Sequence, residues 1–461
     1  MAYNTITKPS DHFNTILYTG NGSSNAITGV GFQPDWVWLK YRGGTGNHRT
    51  VDVVRGTQQR LMPNATDAES TETGLVTSFD SDGFSLNSSD AAFNGNSNTY
   101  VSWNWLAAGT TPSKTYVVKV VSDSGNKYRF DDFGTSAITL ELSEGGTFRF
   151  DQSDSSNSGH PLRFSTTSDG SHGGGSEYTT GVTTSGTPGS SGAYTEITVA
   201  ASAPTLYYYC TQHSGMGGQA NTPTTNSFTS LDGNIQSNIS PNTTAGFSIV
   251  TWTANGTNDG TIGHGLGVAP DVMIYKKRST GSGAWYAWFN GTIDGSQDYI
   301  DLNTTNAKTD VLAQYGSASS TTITNFGYAT NSLLAYCFAS KKGYSRVGVY
   351  TGNGNADGAF IYTGFKPAWV LVKNTTSGSH SWLYDNTRNP FNETNLRISA
   401  NSSGAESTQT SNQIDLLSNG FKCRGNAGAT NASGGTYIYM AFAENPFVAN
   451  DSGTAIPTTA R

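Results

Sequence analysis

The chain has 461 residues, 13% charged and 35% hydrophobic, with a net charge of −7 and a pI near 5.5. That length exceeds one ordinary domain, and an acidic balance with no Lys/Arg cluster argues against a nucleic-acid surface. No stretch approaches membrane-span length, and three widely spaced cysteines (Cys210, Cys337, Cys423) argue against a disulfide framework.

With 55 glycines and 11% aromatics, the composition fits many short strands joined by polar turns better than it fits disorder. The expectation is an all-β protein built from thin sandwiches whose cores are filled by Trp, Tyr and Phe. Residues 1–13 carry neither a basic segment nor an apolar run, so they do not read as a signal peptide. They are expected to be an N-terminal attachment segment.

A first module is expected over 14–109. Tyr18-Thr19-Gly20-Asn21-Gly22 reads as a strand entering a tight turn. Gly31-Phe32-Gln33-Pro34-Asp35-Trp36-Val37-Trp38-Leu39-Lys40 reads as a proline turn followed by an alternating strand. The module closes on Tyr100-Val101-Ser102-Trp103-Asn104-Trp105. Asp52 and Arg55, three residues apart, could pair as a catalytic carboxylate and guanidinium, but they read better as a structural ion pair anchoring a turn.

The segment 114–224 breaks this pattern. Strands are expected at 115–121, 137–142, 146–150, 162–165, 193–200 and 205–210, with a Gly/Ser/Thr-rich loop over 170–192. Tyr207-Tyr208-Tyr209-Cys210-Thr211-Gln212-His213-Ser214-Gly215-Met216 reads as a strand running into a short loop. The loop carries three soft or borderline metal ligands, Cys210, His213 and Met216, and His160 upstream supplies a fourth. Two imidazoles, a thiolate and a weak axial thioether form the ligand set of a blue-copper site. Short spacers fold three ligands around one point, and the fourth must come from a neighbouring strand end. His172 lies in the glycine-rich loop and reads as solvated, and His264 reads as a turn residue. His12, His48 and His380 have no local partners.

Residues 226–245 read as a linker. The first module then recurs over 246–343 and 344–448. Gly267-Val268-Ala269-Pro270-Asp271-Val272 and Gly364-Phe365-Lys366-Pro367-Ala368-Trp369 repeat the proline turn and strand. Leu333-Leu334-Ala335-Tyr336-Cys337-Phe338 and Tyr437-Ile438-Tyr439-Met440-Ala441-Phe442 repeat the closing strand. Asp385 and Arg388 match Asp52 and Arg55, and Glu406 matches Glu69. Cys337 and Cys423 read as small buried hydrophobes. Trp285, Tyr286 and Trp288 in the second copy, and Trp382 and Tyr384 in the third, are the aromatics best suited to stack on sugar rings if they stand on loops. The competing reading makes them core residues of alternating strands. Residues 449–461 read as a polar tail. The chain shows no Gly-x-Ser-x-Gly elbow, phosphate loop or His-Glu-x-x-His motif, so no enzyme is expected.

Two resemblances follow from these residues. Segment 114–224, with His160 and the Cys-x2-His-x2-Met spacing, resembles the cupredoxin family and is most similar to amicyanin. That resemblance implies a Greek-key sandwich with copper held by His160, Cys210, His213 and Met216; a plain scaffold without metal, its Cys-His-Met cluster kept as packing or taking Zn or Cu(I) adventitiously, stays open beside it. The repeated module resembles a β-rich domain of virion proteins of tailed marine bacteriophages, notably cyanophages. The motifs are Tyr350-Thr351-Gly352-Asn353-Gly354, Gly364–Trp369 as quoted, Asn419-Gly420-Phe421-Lys422 and Tyr439-Met440-Ala441-Phe442-Ala443-Glu444-Asn445-Pro446-Phe447.

This second resemblance implies jelly-roll or concanavalin-like sandwiches and a tail fibre or adhesin binding host-surface carbohydrate. A capsid decoration or head-fibre protein with a structural role stays open beside it. The implied partners are other virion proteins, a host-cell glycan and further copies of the chain, a trimer being favoured, with no nucleic acid and no membrane insertion. The implied location is a virion surface appendage made in the host cytoplasm.

Overall fold

A computed structural model describes residues 4–108, 111–257, 259–279, 281–311, 316–325, 330–451 and 454–457. The described residues are nearly all strand and turn, with three short 3-10 turns as their helical elements. No helix among them is long and apolar enough to cross a membrane. The chain forms two compact units, Met1–Gly109 with Pro241–Asp259 and Leu266–Arg461, and Thr110–Ser240 with Gly260–Gly265.

The first unit gathers all three repeats. In each, the principal sheet pairs the first strand with the closing strand and the closing strand with the proline-turn strand. The first repeat runs Phe13–Thr19, Thr99–Trp105, Trp36–Tyr41, Arg49–Asp52. The second runs Phe247–Thr253, Ser332–Phe338, Val272–Lys277, Trp285–Asn290, and the third Ser345–Thr351, Thr436–Pro446, Phe365–Asn374, Trp382–Asp385. The registers Trp36↔Trp105, Val272↔Phe338 and Trp369↔Phe442 superpose the copies residue for residue.

Side chains alternate across a strand, and here both faces are covered. Trp36 and Trp38 enter one large core, whereas Val37 and Leu39 enter a smaller core beneath the short sheet Ser24–Thr28, Gly83–Asn87, Ser78–Asp80. In the third repeat Trp369 and Leu371 join the large core and Val370 and Val372 a smaller one. This is why the strands are continuously apolar instead of alternating.

The large core belongs to all three repeats. Trp36 stacks on Tyr336 at 4.1 Å and on Trp105 at 4.3 Å; Trp105 meets Trp369 edge-on at 5.9 Å, and Phe338 meets Phe442 at 5.8 Å. The repeats are thus sandwiches fused through their outer faces. Three equivalent backbone bonds close the arrangement cyclically. Glu69 N donates to Arg278 O, Lys308 N to Thr375 O and Glu406 N to Arg42 O, each at 3.0 Å.

Two of the three seams carry buried ions. Arg55 grips Asp52 at 2.5 Å and Glu69 at 3.0 Å, and Glu69 reaches Arg278 of the second repeat at 2.9 Å. Likewise Arg388 grips Asp385 at 2.5 Å and Glu406 at 3.2 Å, and Glu406 reaches Arg42 of the first repeat at 2.8 Å. The closing strand of the neighbour adds one donor to each aspartate: Tyr336 OH to Asp52 at 2.7 Å, Trp103 Nε1 to Asp385 at 3.1 Å. By register, the third seam holds Phe289 in the aspartate position and Met440 in the donor position. Apolar residues of the same core stand in both places there.

His48 joins the first and third repeats. Trp38 Nε1 donates to its Nδ1 at 2.8 Å, so its Nε2–H donates to Ser399 O at 3.0 Å and the ring is neutral. Burial, then Lys40, pushes its pKa from 6.5 down to about 3. The unfolded state therefore takes up a proton that the folded state refuses. The stability this ring contributes is complete above pH 6.5 and falls with pH towards 3, at about 1.4 kcal/mol per pH unit. Between pH 6 and 4, denaturation midpoints are expected to drop less steeply in His48→Gln than in the parent.

Of the expected attachment segment, residues 4–13 are described. Ile6 and Phe13 are buried in the shared core, and Phe13 stacks on Phe442 at 5.0 Å. Within the expected linker 226–245 lie the strands Phe228–Ser230 and Ser237–Asn242. In the expected tail, Val448–Asp451 pairs with Thr454–Pro457, and residues 458–461 lie outside the described residues. Cys337 and Cys423 are fully buried.

The second unit is a two-sheet sandwich. One sheet runs Asn126–Phe130, Ser113–Ser122, Thr147–Asp151, Tyr194–Thr198, Val182–Ser185; the other runs Leu140–Glu141, Gly218–Asn221, Leu206–Cys210, Leu162–Ser165, Glu177–Tyr178. Each sheet contains one parallel pairing. The sheets meet through rings: Phe150 lies edge-on to Phe164 at 5.4 Å and Phe130 to Tyr208 at 5.1 Å.

Candidate metal centre

Strand Leu206–Cys210 pairs antiparallel with Leu162–Ser165, with Cys210 opposite Leu162. His160 therefore enters the sheet beside the residues that leave it, and Thr211 N donates to Pro161 O at 3.2 Å. This brings together side chains 50 residues apart. Cys210 Sγ lies 3.9 Å from His160 Nδ1 and 3.8 Å from His213 Nδ1, and the three donor atoms lie within 4.8 Å of one another. Two ligands held at ordinary metal–nitrogen and metal–sulfur distances stand about 3.8 Å apart in a trigonal array and about 3.6 Å apart in a tetrahedral one. The cluster therefore has the dimensions of a metal site. Cys210 is buried, His160 half-buried and His213 exposed. Met216 is 1% exposed and packs in the same core as Cys210.

The surroundings hold these residues in place. His160 O accepts from Tyr128 OH at 2.9 Å and from Gln152 Nε2 at 2.8 Å, while His160 N donates to Asn157 O at 2.8 Å. Gln152 and Asn157 are themselves buried. Across the loop, Gly215 N donates to Asp169 at 2.8 Å, Lys127 donates to Gly215 O, and Tyr128 N donates to Met216 O at 3.0 Å. Burial, and secondarily His213, lowers the His160 pKa, favouring the neutral imidazole that binds metals. Burial, then Cys210, raises the Tyr128 phenol far above its usual range, so it stays a neutral donor.

His172, exposed as expected, also donates Nε2–H to Cys210 O at 3.0 Å from the 3-10 turn Gly170–Gly173. Nothing in the sequence points to Tyr128, Gln152, Asp169 or His172 as supports, because each reaches the site through backbone atoms and none forms a motif.

The aromatics considered for carbohydrate are corrected by their positions. Trp285 (1% exposed), Trp288 (0%), Trp382 (8%) and Tyr384 (0%) are core residues. Trp285 enters the shared core, and Trp382 and Tyr384 enter the third repeat's own core. Tyr286 is half-buried, edge-on to Tyr299 at 5.1 Å. Trp285, Trp288, Trp382 and Tyr384 therefore offer no stacking platform. A further acidic group, Asp294, Asp298 and Asp310, surrounds Lys308, which pairs with all three. That ammonium already stands where a cation would.

Fold and site define a class: an all-β tandem-sandwich protein bearing a His2Cys constellation. The chain belongs to the family described as Domain of unknown function (DUF7483), whose model matches residues 8–127 and 172–446. Cys210, His213 and Met216 fall within the match, and His160 falls in the stretch it skips. No curated protein matches the chain. No solved structure matches it either.

Proposed function

We propose that the second unit binds a single copper ion through His160, Cys210 and His213, with Met216 as the weak fourth ligand. The observation carrying this reading is the convergence of three donor atoms within 4.8 Å. A thiolate and two imidazoles with a nearby thioether suit copper better than the hard cations. Copper bound there would supply a one-electron couple. The chain's own part is to hold His160 neutral, fix both loops and shield the Cys210 thiol. Titration of the purified chain with Cu(II) is expected to give an intense thiolate-to-copper visible absorption at one equivalent, absent in Cys210→Ala. Colourless one-to-one binding of Zn(II) with no colour from Cu(II) would reassign the metal, and no binding of either would end the reading.

A second reading concerns where the protein serves. We propose a structural protein of a virion surface, a tail fibre or adhesin that contacts host carbohydrate, with a decoration protein as its rival. What favours it is the cyclic closure of three repeats within one chain, because such a unit matches a partner with a three-fold axis. Antibody-gold electron microscopy against residues 344–448 on source particles separates the rivals. Label on a tail appendage supports the adhesin, label over the capsid the decoration protein, and no label on particles rejects both.

A further inference from the structure

The third repeat contains a cavity of about 470 Å³ between the turn that leads into Ser345–Thr351 and the loop that follows Phe360–Tyr362. Lys342 and Arg346 line it, both exposed, together with Tyr362, which is 46% exposed. Ser340, Ser345 and Thr363 add hydroxyls. No carboxylate is among the lining residues, although the chain carries a net charge of −7. The Arg346 guanidinium lies against the buried Tyr439 hydroxyl.

In the first repeat the equivalent place is filled. The registers Phe13↔Trp105 and Ser345↔Phe442 align Asn14 with Arg346 and Ser10 with Lys342. The registers Ile27↔Phe84 and Ile361↔Phe421 align Thr28 with Tyr362. From there to the shared phenylalanine, the first repeat (Thr28 to Phe32) is one residue longer than the third (Tyr362 to Phe365). The longer loop carries Val30, fully buried, and Asn14 Nδ2 donates to Val30 O at 3.1 Å. The Asp82 carboxylate accepts from Gly29 N at 3.0 Å and Gly31 N at 2.7 Å, and the third repeat has Asn419 in that place. Relative to the first repeat, the third thus lacks a plug and a negative charge and carries two cations and an exposed ring.

We propose that this cavity binds an anionic saccharide, a sugar carrying sulfate or carboxylate groups. Arg346 would offer its planar fork to the anion and Lys342 a mobile point charge. The face of Tyr362 would take the sugar's C–H surface. Phe360, 47% exposed and two residues before Tyr362 on the same strand face, extends that apolar side. The volume lies in the range of small-ligand sites. The site is independent of copper binding and of where the protein is deployed.

The test is calorimetric titration of the full chain at low salt with dextran sulfate, polygalacturonate and neutral dextran. At least one charged polymer is expected to bind and neutral dextran is not. Lys342→Gln/Arg346→Gln is expected to weaken that binding by about tenfold or more, and Tyr362→Ala by about threefold or more. Arg149→Gln, on the other unit, is the control and keeps full affinity. Lys342 and Arg346 are exposed, so the double variant is expected to fold, with only a small loss of stability from the Arg346 contact to Tyr439. Preference for one polymer identifies sulfate or carboxylate as the recognised group. Binding of neither charged polymer, equal binding of neutral dextran, or undiminished affinity in either the double variant or Tyr362→Ala would overturn the proposal.

Discussion

Asp52→Ala is expected to destabilise the first unit by about 3 kcal/mol, the cost of removing one carboxylate from a buried charged network. Asp52 and Arg55 have fully buried side chains, and Tyr336 of the second repeat donates to the same carboxylate. Truncation removes the nearer of the guanidinium's two carboxylates, leaving Glu69 at 3.0 Å, and takes the acceptor from the phenol. The third seam indicates the remedy, since Phe289 and Met440 occupy the equivalent places without any charge. Replacing Asp52, Arg55 and Tyr336 together by apolar residues of similar volume is therefore expected to cost far less than the single truncation. Thermal melts of the single and triple variants check this. If Asp52→Ala melts with the parent, the seam contributes no stability, and if the triple variant is the worse of the two, the charges are needed in their own right.

The second large effect is expected from Gly217→Ala. A Cβ there would stand 1.7 Å from Tyr208 O and 3.0 Å from Tyr209 Cα, both backbone atoms. The clash can be relieved only by moving Gly218–Asn221 away from Leu206–Cys210, strands that pair through Tyr208↔Gly218. Overpacking against backbone is expected to cost about 3 kcal/mol or more. The same movement shifts Cys210 and Met216, so copper affinity is expected to fall with stability. Gly134→Ala is the matched control: nothing lies within 4 Å of its Cβ, and a change within about 0.5 kcal/mol is expected. Melting of the second unit and Cu(II) titration of both variants provide the check, and a Gly217→Ala chain with parental melting and affinity would refute the expectation.

The repeats and the all-β class were legible because the proline turn, the Asn-Gly turn and the closing aromatic strand recur with their spacing intact. The fusion of the repeats was not. Trp36-Val37-Trp38-Leu39 is apolar at every position, and such a run does not reveal whether its second face meets another repeat, a ligand or solvent. For the same reason Trp285 and Trp382 could be imagined on loops, whereas they stand on strands covered on both sides. The ligand set was legible in part. Cys210, His213 and Met216 share a loop, but bringing His160 to them depends on a strand pairing that sequence spacing only permits. The cavity beside Tyr362 was invisible, since it arises from one missing residue in a loop.

The cyclic seams have a consequence for the order of folding. Arg42 meets Glu406, and His48 meets Ser399, across 364 and 351 residues of chain. Contacts of that separation carry a high loop-closure cost and slow folding. During synthesis from the N-terminus, the tryptophan face of the first repeat is made long before the strands that cover it. Trp103 remains without Asp385 and Arg388, and His48 without Ser399, until those residues have been made. The nascent protein must therefore carry an uncovered aromatic surface through most of its translation, and prefixes that end before the third repeat are expected to be the species that chaperones retain.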